Sequence, residues 1–468
     1  MNPRTSPFLR VRTMAPSRRG SVLIIVLWVA FGLVSLAVYF GHSMIFEYRA
    51  ADQNVAGVEA DQAIEGAARY ISYVLTNTTT APGQLPLTNT YRSAAVAVGD
   101  ATFWLIGRED SDQVRTTPVY GLVDEGSKLN LNTATLDMLE ALPLMTPALA
   151  ASIIDWRDTN SEVTDGGAES ETYATRNPAY QCKNANFETV EELRMVAGAT
   201  PEILFGEDAN LNGVQDPNEN DGTISLPVDN RDGKLDPGIL EYLTVCTRIP
   251  NVRTNGEPRI NVNTTGGTNL TARLQELFGA DRGRVIQQAL QPQSPPPRQG
   301  SPPPPPATPY RSLLDIYYRS GMTADEFGKI ADDLTVTNAT VIEGLVNVNT
   351  APAAVLACIP GIGTDKAAQL VAYRHTQATG LTNMVWVTQV LDRTNAVSAS
   401  AYLTTQCYQC SADIVAVGHE GRGYRRVRVL FDTSETEPKV IYRRDLTRLG
   451  WALGAERPLV WATGKELR

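Results

Sequence analysis

The stretch "SRRGSVLIIVLWVAFGLVSLAVYFGHSMIFEYRAADQ" (residues 17–53) decides how the rest of the chain is read. Ser21 to Phe40 is an apolar run of about twenty residues, and a helix of that length at ~1.5 Å per residue spans a hydrocarbon core of ~30 Å. A secretory signal has a shorter apolar core of about 7–15 residues and ends at a small-residue cleavage site. "YFGHSMIF" offers a poor site of that kind. Arg4, Arg10, Arg12, Arg18 and Arg19 all precede the run, with no acid among them. That bias keeps the N-terminus cytoplasmic and sends the rest of the chain across the membrane. After the run, Ala60, Ile64, Ala67, Ala68, Ile71, Val74 and Leu75 recur at helical spacing with no Gly-Pro break over 45–76. The spacing predicts that the apolar helix runs on into an amphipathic one, a single helix of about 55 residues and ~80 Å.

The chain has 468 residues, which suits two or three domains. Its formal charge is −10 even with the basic leader, so the remainder is more acidic still. An acidic body repels phosphates and anionic lipid, and protein or cation partners are expected rather than nucleic acid. The five Cys are Cys182, Cys246, Cys358, Cys407 and Cys410. Cys407 and Cys410 have C-x-x-C spacing but no second pair for zinc and no thioredoxin-like context. They read as a structural disulfide or as two inert thiols. The three His (His42, His375, His419) sit in no catalytic motif, and no Walker loop, Gly-x-Ser-x-Gly or His-Glu-x-x-His occurs. The chain is not expected to be an enzyme.

Two stretches resemble each other. "SKLNLNTATLDMLEALPLMTPALAASIIDWRD" (127–158) and "GLVNVNTAPAAVLACIPGIGTDKAAQLVAYRH" (344–375) both read Asn-x-Asn-Thr, short helix, hairpin, second helix. This is a helix-hairpin-helix pattern. "RINVNTTGGTNLTARLQELFG" (259–279) shares only the opening. In DNA-binding versions, a Pro-Gly-Ile-Gly hairpin such as 360–363 aims backbone N–H groups at a phosphate. The first copy has "PLMTP" (143–147) there, and few cations beyond Lys366 and Arg374 flank the second, so a packing role is favoured. Residues 101–110, 119–126 and 439–446 read as strands, and 412–432 as a hairpin around a Gly-rich turn. Pro292 to Pro309 is a Pro-rich linker.

The sharpest chemical signal is "EDANLNGVQDPNENDG" (207–222). Counted from Asp208, oxygen-bearing side chains fall at positions 1, 3, 5, 9 and 12: Asp208, Asn210, Asn212, Asp216 and Glu219. Gly213 takes position 6, where an EF-hand-type loop turns sharply, and Val214 at position 7 offers its carbonyl. Calcium is the expected ion, bound modestly because two ligands are uncharged Asn. "VDNRDGKLDPG" (228–238) places Asn230, Asp232, Gly233 and Asp236 in matching positions, with Asp229 a shifted substitute for the first ligand, and is a possible second site.

A basic leader ending in Arg-Gly before such a helix resembles a type IV prepilin. The resemblance implies cleavage by a membrane prepilin peptidase between Gly20 and Ser21, and methylation of the new amine. It departs from the major pilins at the fifth mature residue, Ile25, where they carry Glu. Residues 155–198 sharpen it, through Asp155, Trp156 and Asp158, then Gly167, Ala168, Glu169 and Tyr173, then Asn177, Pro178 and Tyr180, then Phe187, Glu191, Glu192 and Leu193. These resemble the type II secretion minor pseudopilin K family. That family lacks the Glu, is associated with calcium in its helical domain, and partners minor pseudopilins I and J. The implied fold is α+β: a long N-terminal helix and a pilin-like sheet domain interrupted by a large α-helical insert containing the helix-hairpin-helix (SAM-like) modules. The expected divisions are a leader at 1–20, membrane helix at 21–44, pilin-like helix and first strands at 45–126, insert at 127–343, second module at 344–411 and last strands at 412–468. The implied place is the inner membrane, single-pass, with the body in the periplasm, and the implied task is export across the outer membrane from the pseudopilus tip. The alternative is a membrane-anchored periplasmic helix-hairpin-helix DNA-binding protein. The two separate at the mature N-terminus: mass spectrometry of the protein from membranes should show a chain beginning at Ser21 when the peptidase is present. A chain still beginning at Met1 or Asn2 would remove the pilin-class reading.

Overall fold

The computed structural model describes residues 19–79, 81–108, 117–264, 268–290, 308–377, 381–435 and 437–454. Most of the expected leader and most of the Pro-rich linker lie outside them. Helix α1 (Arg19–Asn77) is a single helix of 59 residues, about 90 Å long. Its two halves differ. Residues 22–50 are exposed on every side, including Leu23, Trp28, Phe31 and Tyr39. From Ala56 onward one face is buried: Ala56, Ala60, Ala63, Ile64, Ala67, Ile71, Val74 and Leu75. Those positions step by three and four, so they form one stripe. Four of them are Ala, which lets the helix lie close on the sheet below.

That sheet begins with β1 (Val96–Val98), β2 (Ala101–Ile106) and β3 (Val123–Asp124). The chain then leaves it. The excursion holds β4 (Leu129–Asn130), α2 (Leu136–Glu140), α3 (Pro147–Arg157), α4 (Ser170–Ala174), α5 (Pro201–Phe205), β5 (Leu243–Thr244) and β6 (Arg248–Pro250). It continues through β7 (Ile260–Asn261), α6 (Thr268–Leu290), α7 (Leu313–Ser320), α8 (Ala324–Ile330), β8 (Leu334–Thr335) and β9 (Val341–Glu343). Then come β10 (Val346–Asn347), α9 (Ala353–Ala357), α10 (Gly363–Thr376), α11 (Arg393–Ala399) and β11 (Leu403–Thr404). The sheet resumes with β12 (Gln409–Val417), β13 (Arg425–Asp432) and β14 (Lys439–Asp445). The order is β1-β2-β12-β13-β14, antiparallel, with β3 also on β12. The fold is therefore α+β, with strands from both sides of a long excursion closing one sheet.

Period-two alternation sorts β12 into two faces. Cys410, Ala412, Ile414 and Ala416 pack with Val427, Val429 and Phe431 under α1. Val415 and Val417 face the other way, with Trp104, Ile106, Ala452 and Leu453. Every residue of β12 is buried, which a central strand covered on both sides requires.

Two strand expectations were too long. Residues 101–110 form a strand only to Ile106, with 109–110 outside the described residues. Over 119–126 only Val123–Asp124 is strand, because Asp124 turns inward and caps the next turn by accepting the Gly126 N–H at 2.7 Å.

The excursion contains an organisation that the sequence only hinted at. β4 pairs in parallel with β5, β7 with β8 and β10 with β11. Each first strand carries Asn-x-Asn-Thr, and each second carries Leu-Thr. Asn130, Asn261 and Asn347 accept the backbone N–H of Asn132, Asn263 and Asn349 at 2.9, 2.9 and 3.0 Å. Those second asparagines reach distant chain: Asn132 to Phe187, Asn263 to Tyr310, Asn349 to Leu381 and Trp386. Thr244, Thr335 and Thr404 each accept the N–H two residues on. Arg157 on α3 donates to the Leu131 and Ala134 carbonyls, as Arg374 on α10 does to those of Val348 and Ala351. The stretch at 259–279 is thus a third copy of the same strand device, where the sequence reading credited it with the opening alone. Arg374 is turned inward and 8% exposed, so it is not a phosphate-contacting cation.

Candidate functional site

The acidic loop at 207–222 does not stand free in solvent. It is seated on the face of the sheet away from α1, by two guanidinium groups. Arg426 on β13 is fully buried and grips Asp413 of β12 in two-point fashion, Nε–Oδ1 2.8 Å and Nη2–Oδ2 2.7 Å. Its remaining N–H groups donate to the backbone carbonyls of Asn210 and Leu211. Arg108, just past β2, donates to the Leu211 carbonyl at 2.9 Å and pairs with Glu241 at 2.5 Å. Burial works against charge on Asp413, but Arg426 and Arg428 beside it hold its carboxyl well below the usual range. Burial alone would lower Arg108, and Glu241 more than offsets it.

Inside the loop, Asp208, Asn212 and Glu219 are each 1% exposed. Both Asp208 oxygens accept backbone N–H groups, from Asn212 at 3.0 Å and from Gly213 at 2.8 Å. Gly213 sits at φ +70°, a conformation that favours glycine, and its position lets the loop close back on its first residue. Asn210 Oδ1 accepts from Asn212 N, and Asn212 Oδ1 from Val214 N. Asp216 Oδ2 accepts from both Asn amides, and Glu219 from Ala209 and Asp216 N–H. The spacing has thus brought Asp208, Asn210, Asn212, Val214, Asp216 and Glu219 into one closed loop. Burial raises the carboxyls of Asp208 and Asp216 and pushes Glu219 up to about 8, with Asp208 and Asp216 adding to the shift on Glu219. This is a pocket of negative charge whose nearest guanidinium groups hold its backbone rather than its carboxylates. Among the described residues no three Asp, Glu, His or Cys side chains gather tightly enough to form a metal group from those types alone. Any ion here would need the Asn amide oxygens and a carbonyl as well.

The second stretch is arranged differently. Asn230, Asp232 and Asp236 are exposed. Asn230 donates to Asp236 at 3.3 Å and accepts from Asp232 N at 2.8 Å. Asp229 is engaged elsewhere: its carboxylate accepts the N–H groups of Asp221, Gly222 and Arg231, tying this stretch to the end of the first loop.

Adjacent residues at the exit from the sheet complete the junction. Asp124 accepts from Asn347 at 2.8 Å and Thr350 at 2.5 Å, and Glu125 from Thr244 at 2.6 Å and Lys128 at 2.8 Å. One dipeptide therefore holds the β4–β5 and β10–β11 pairs against β12. The sequence reading missed this, as it missed Arg426 and Asp413. The available signal was "RRVRV" (425–429), where Arg426 and Arg428 fall at alternate positions on the strand. It also quoted Asp155 and Glu169 without a role. Both are buried, 0% and 4% exposed, and each has one carboxylate oxygen without a hydrogen-bond partner. All five Cys are free thiols, and burial pushes Cys407 and Cys410 well above their usual range, so of the two readings for that pair the structure holds inert thiols.

Two family models, both described as "Type II secretion system (T2SS), protein K", match residues 122–205 and 346–398. No curated protein matches the sequence. Among solved structures, the chain is similar to one from the GspK-GspI-GspJ complex of the enterotoxigenic Escherichia coli type 2 secretion system. The identity is 10% and the TM-score 0.37, over 83% of this chain and 98% of that one. Both matched segments lie in the body of the chain, and the exposed apolar half of α1 lies outside them. Over those two segments, together less than a third of its length, the chain matches the type II secretion system protein K family. Proteins of that family are structural components of the secretion machine.

Arg426 offers the direct check on this junction. Arg426→Met strands the buried Asp413 charge and two loop carbonyls, and should cost roughly 3–5 kcal/mol in urea unfolding. Adding Asp413→Asn should restore part of the loss, whereas a surface-type pair would show a change within ~1 kcal/mol in both variants.

Proposed function

We propose that this protein is the minor pseudopilin at the tip of a type II secretion pseudopilus, where it helps initiate assembly and export across the outer membrane. The observation that carries the reading is the helix whose apolar half is exposed while its other half is packed under the sheet. Such a helix suits first a bilayer and later a bundle of like helices. The 22–77 segment is long and apolar enough to cross a membrane once. The leader at 1–20 is cut between Gly20 and Ser21 by the prepilin peptidase, and the body lies in the periplasm. Ile25 supports the tip position, because a first-placed subunit has no subunit above whose N-terminal amine it must neutralise. The bulk of residues 125–408, set between β3 and β12, would clash with a subunit stacked above. The partners are minor pseudopilins I and J, and the chain supplies no catalysis.

Calcium belongs to the same reading. Asp208, Asp216 and Glu219 would supply carboxylates, Asn210 and Asn212 amide oxygens, and Val214 its carbonyl. The donors fit a hard cation: every side chain is an oxygen ligand, and among the described residues the buried carboxylates there have no side-chain cation bonded to them. The ion would offset the cost of burying those charges and so hold the loop on Arg426 and Arg108. Asn230, Asp232 and Asp236 are the possible second set, open to solvent and therefore weaker.

The full chain in detergent, mixed with pseudopilins I and J of the same system, should elute as one complex. Three independent elution profiles would overturn the tip reading. Calcium at a hundredfold above its dissociation constant should raise unfolding stability by about 2.7 kcal/mol, reversed by chelator. Glu219→Gln should remove that response; an unchanged response would place the ion elsewhere.

A further inference from the structure

The turn between β12 and β13, residues 418–424, is where the body first meets the stem helix. Gly418 and Gly423 lie so close to α1 that a Cβ on either would run into the Ala56 backbone. Gly57 in turn sits beneath the Arg425 guanidinium. His419 stands at the rim of this seat. Its Nδ1 lies 2.7 Å from a Glu59 carboxylate oxygen, and its Nε2 lies 3.1 Å from an Asp52 oxygen. The His419 backbone N–H donates to the same Glu59 oxygen at 3.0 Å. Asp52 and Glu59 are seven residues apart on α1, about two turns, and so share a face. Among the described residues, the other charges facing this seat lie on α1 and the turn, with Asp445 of β14 close to Arg425. Arg422 pairs with Asp52 and, at 2.9 Å, with Glu420, and Arg425 pairs with Asp61 at 3.2 Å.

A neutral imidazole has one N–H and one lone pair, whereas an imidazolium has two N–H groups. With a carboxylate oxygen at each ring nitrogen, only the doubly protonated ring makes both contacts. The neutral ring must aim a lone pair at one carboxylate. We propose that His419 is a protonation-gated clamp, which locks the stem helix to the body when protonated and loosens the seat when neutral. The hydrogen bonds to Glu59 and Asp52 raise the His419 value, and His419 lowers both of theirs in return. The directions set the window. A raised His value contributes stability that is full below the unfolded value, about 6.5, and is lost as pH rises through the folded one. The lowered carboxylates contribute above their unfolded values and fail only as pH falls through the folded ones. The clamp therefore holds from mildly acid pH up to the raised His419 value and opens on the alkaline side. Residues 22–50 are exposed beyond it, so its state decides how firmly the body is fixed at the point where the stem leaves. The inference rests on the turn geometry and stands apart from the secretion reading.

The test uses the full chain in detergent, with two readouts. His419 should titrate by NMR above about 6.5, and Asp52→Asn or Glu59→Gln should each lower it by roughly half a unit or more. Hydrogen exchange over residues 50–58, corrected for the intrinsic rate, should show several-fold loss of protection as pH rises through the His419 value. His419→Gln should flatten that dependence. A His419 titration at or below its ordinary value, or the same pH-dependent protection in His419→Gln, would overturn the proposal. If His419→Gln does not fold, the two carboxylate variants decide it: unchanged titration in both sinks the clamp.

Discussion

The buried contact between Asp413 and Arg426 is the point at which the two halves of the molecule depend on each other. A buried ion pair is a poor source of stability by itself, because desolvation takes back much of the Coulomb gain. Its consequence is a constraint. Once the guanidinium is dry, each of its N–H groups must find an acceptor. Asp413 accepts from two of its nitrogens, and the Asn210 and Leu211 carbonyls accept two more of its five N–H groups. The acidic loop cannot leave without stranding those donors, and the strand pair β12–β13 cannot shift register without moving the charge. Arg108, paired with Glu241, repeats the arrangement at the same Leu211 carbonyl.

The same logic organises the excursion between β3 and β12. Strands of two residues are too short to be stable as a ladder. Here each parallel pair is extended by side chains acting as backbone surrogates. The first Asn closes a tight turn, the second Asn bridges to a remote segment, and Thr closes the turn on the partner strand. A shared apolar core surrounds the three pairs, with Leu131, Leu243, Leu334, Val346 and Leu403 in one continuous cluster. Asp124 and Glu125 then tie two of the pairs to the sheet. The helical excursion is fixed to the sheet by polar groups with defined partners, and its interior is held by burial.

Helix α1 lives in two surroundings. Its second half is held by an Ala-rich stripe that admits close approach, and by charged contacts with the β12–β13 turn and β14, among them Glu65 with Arg443. Its first half has no partner among the described residues and displays apolar surface all round, which water alone would not favour. By length and composition the segment can cross a membrane once, and a bilayer is an environment that would cover that surface.

The apolar run, its basic flank and the helical spacing after it were legible in the sequence because they depend only on neighbours along one helix. The same holds for the closure of the acidic loop: the spacing of its oxygen-bearing side chains and Gly213 are local, and they do close into one loop. The hairpin at 412–432 and the strand at 439–446 followed from alternation. What the tertiary structure alone decided is who faces whom. Nothing local says that Arg426 points inward rather than to solvent, that Asp229 is consumed by three N–H groups, or that Arg374 caps carbonyls inside its own unit. The third strand pair escaped for the same reason, since its second strand lies some seventy residues on and two residues carry too little pattern. Helical periodicity and loop spacing are set by nearest neighbours along the chain. The partners of buried charges are set by which distant strands the core brings together.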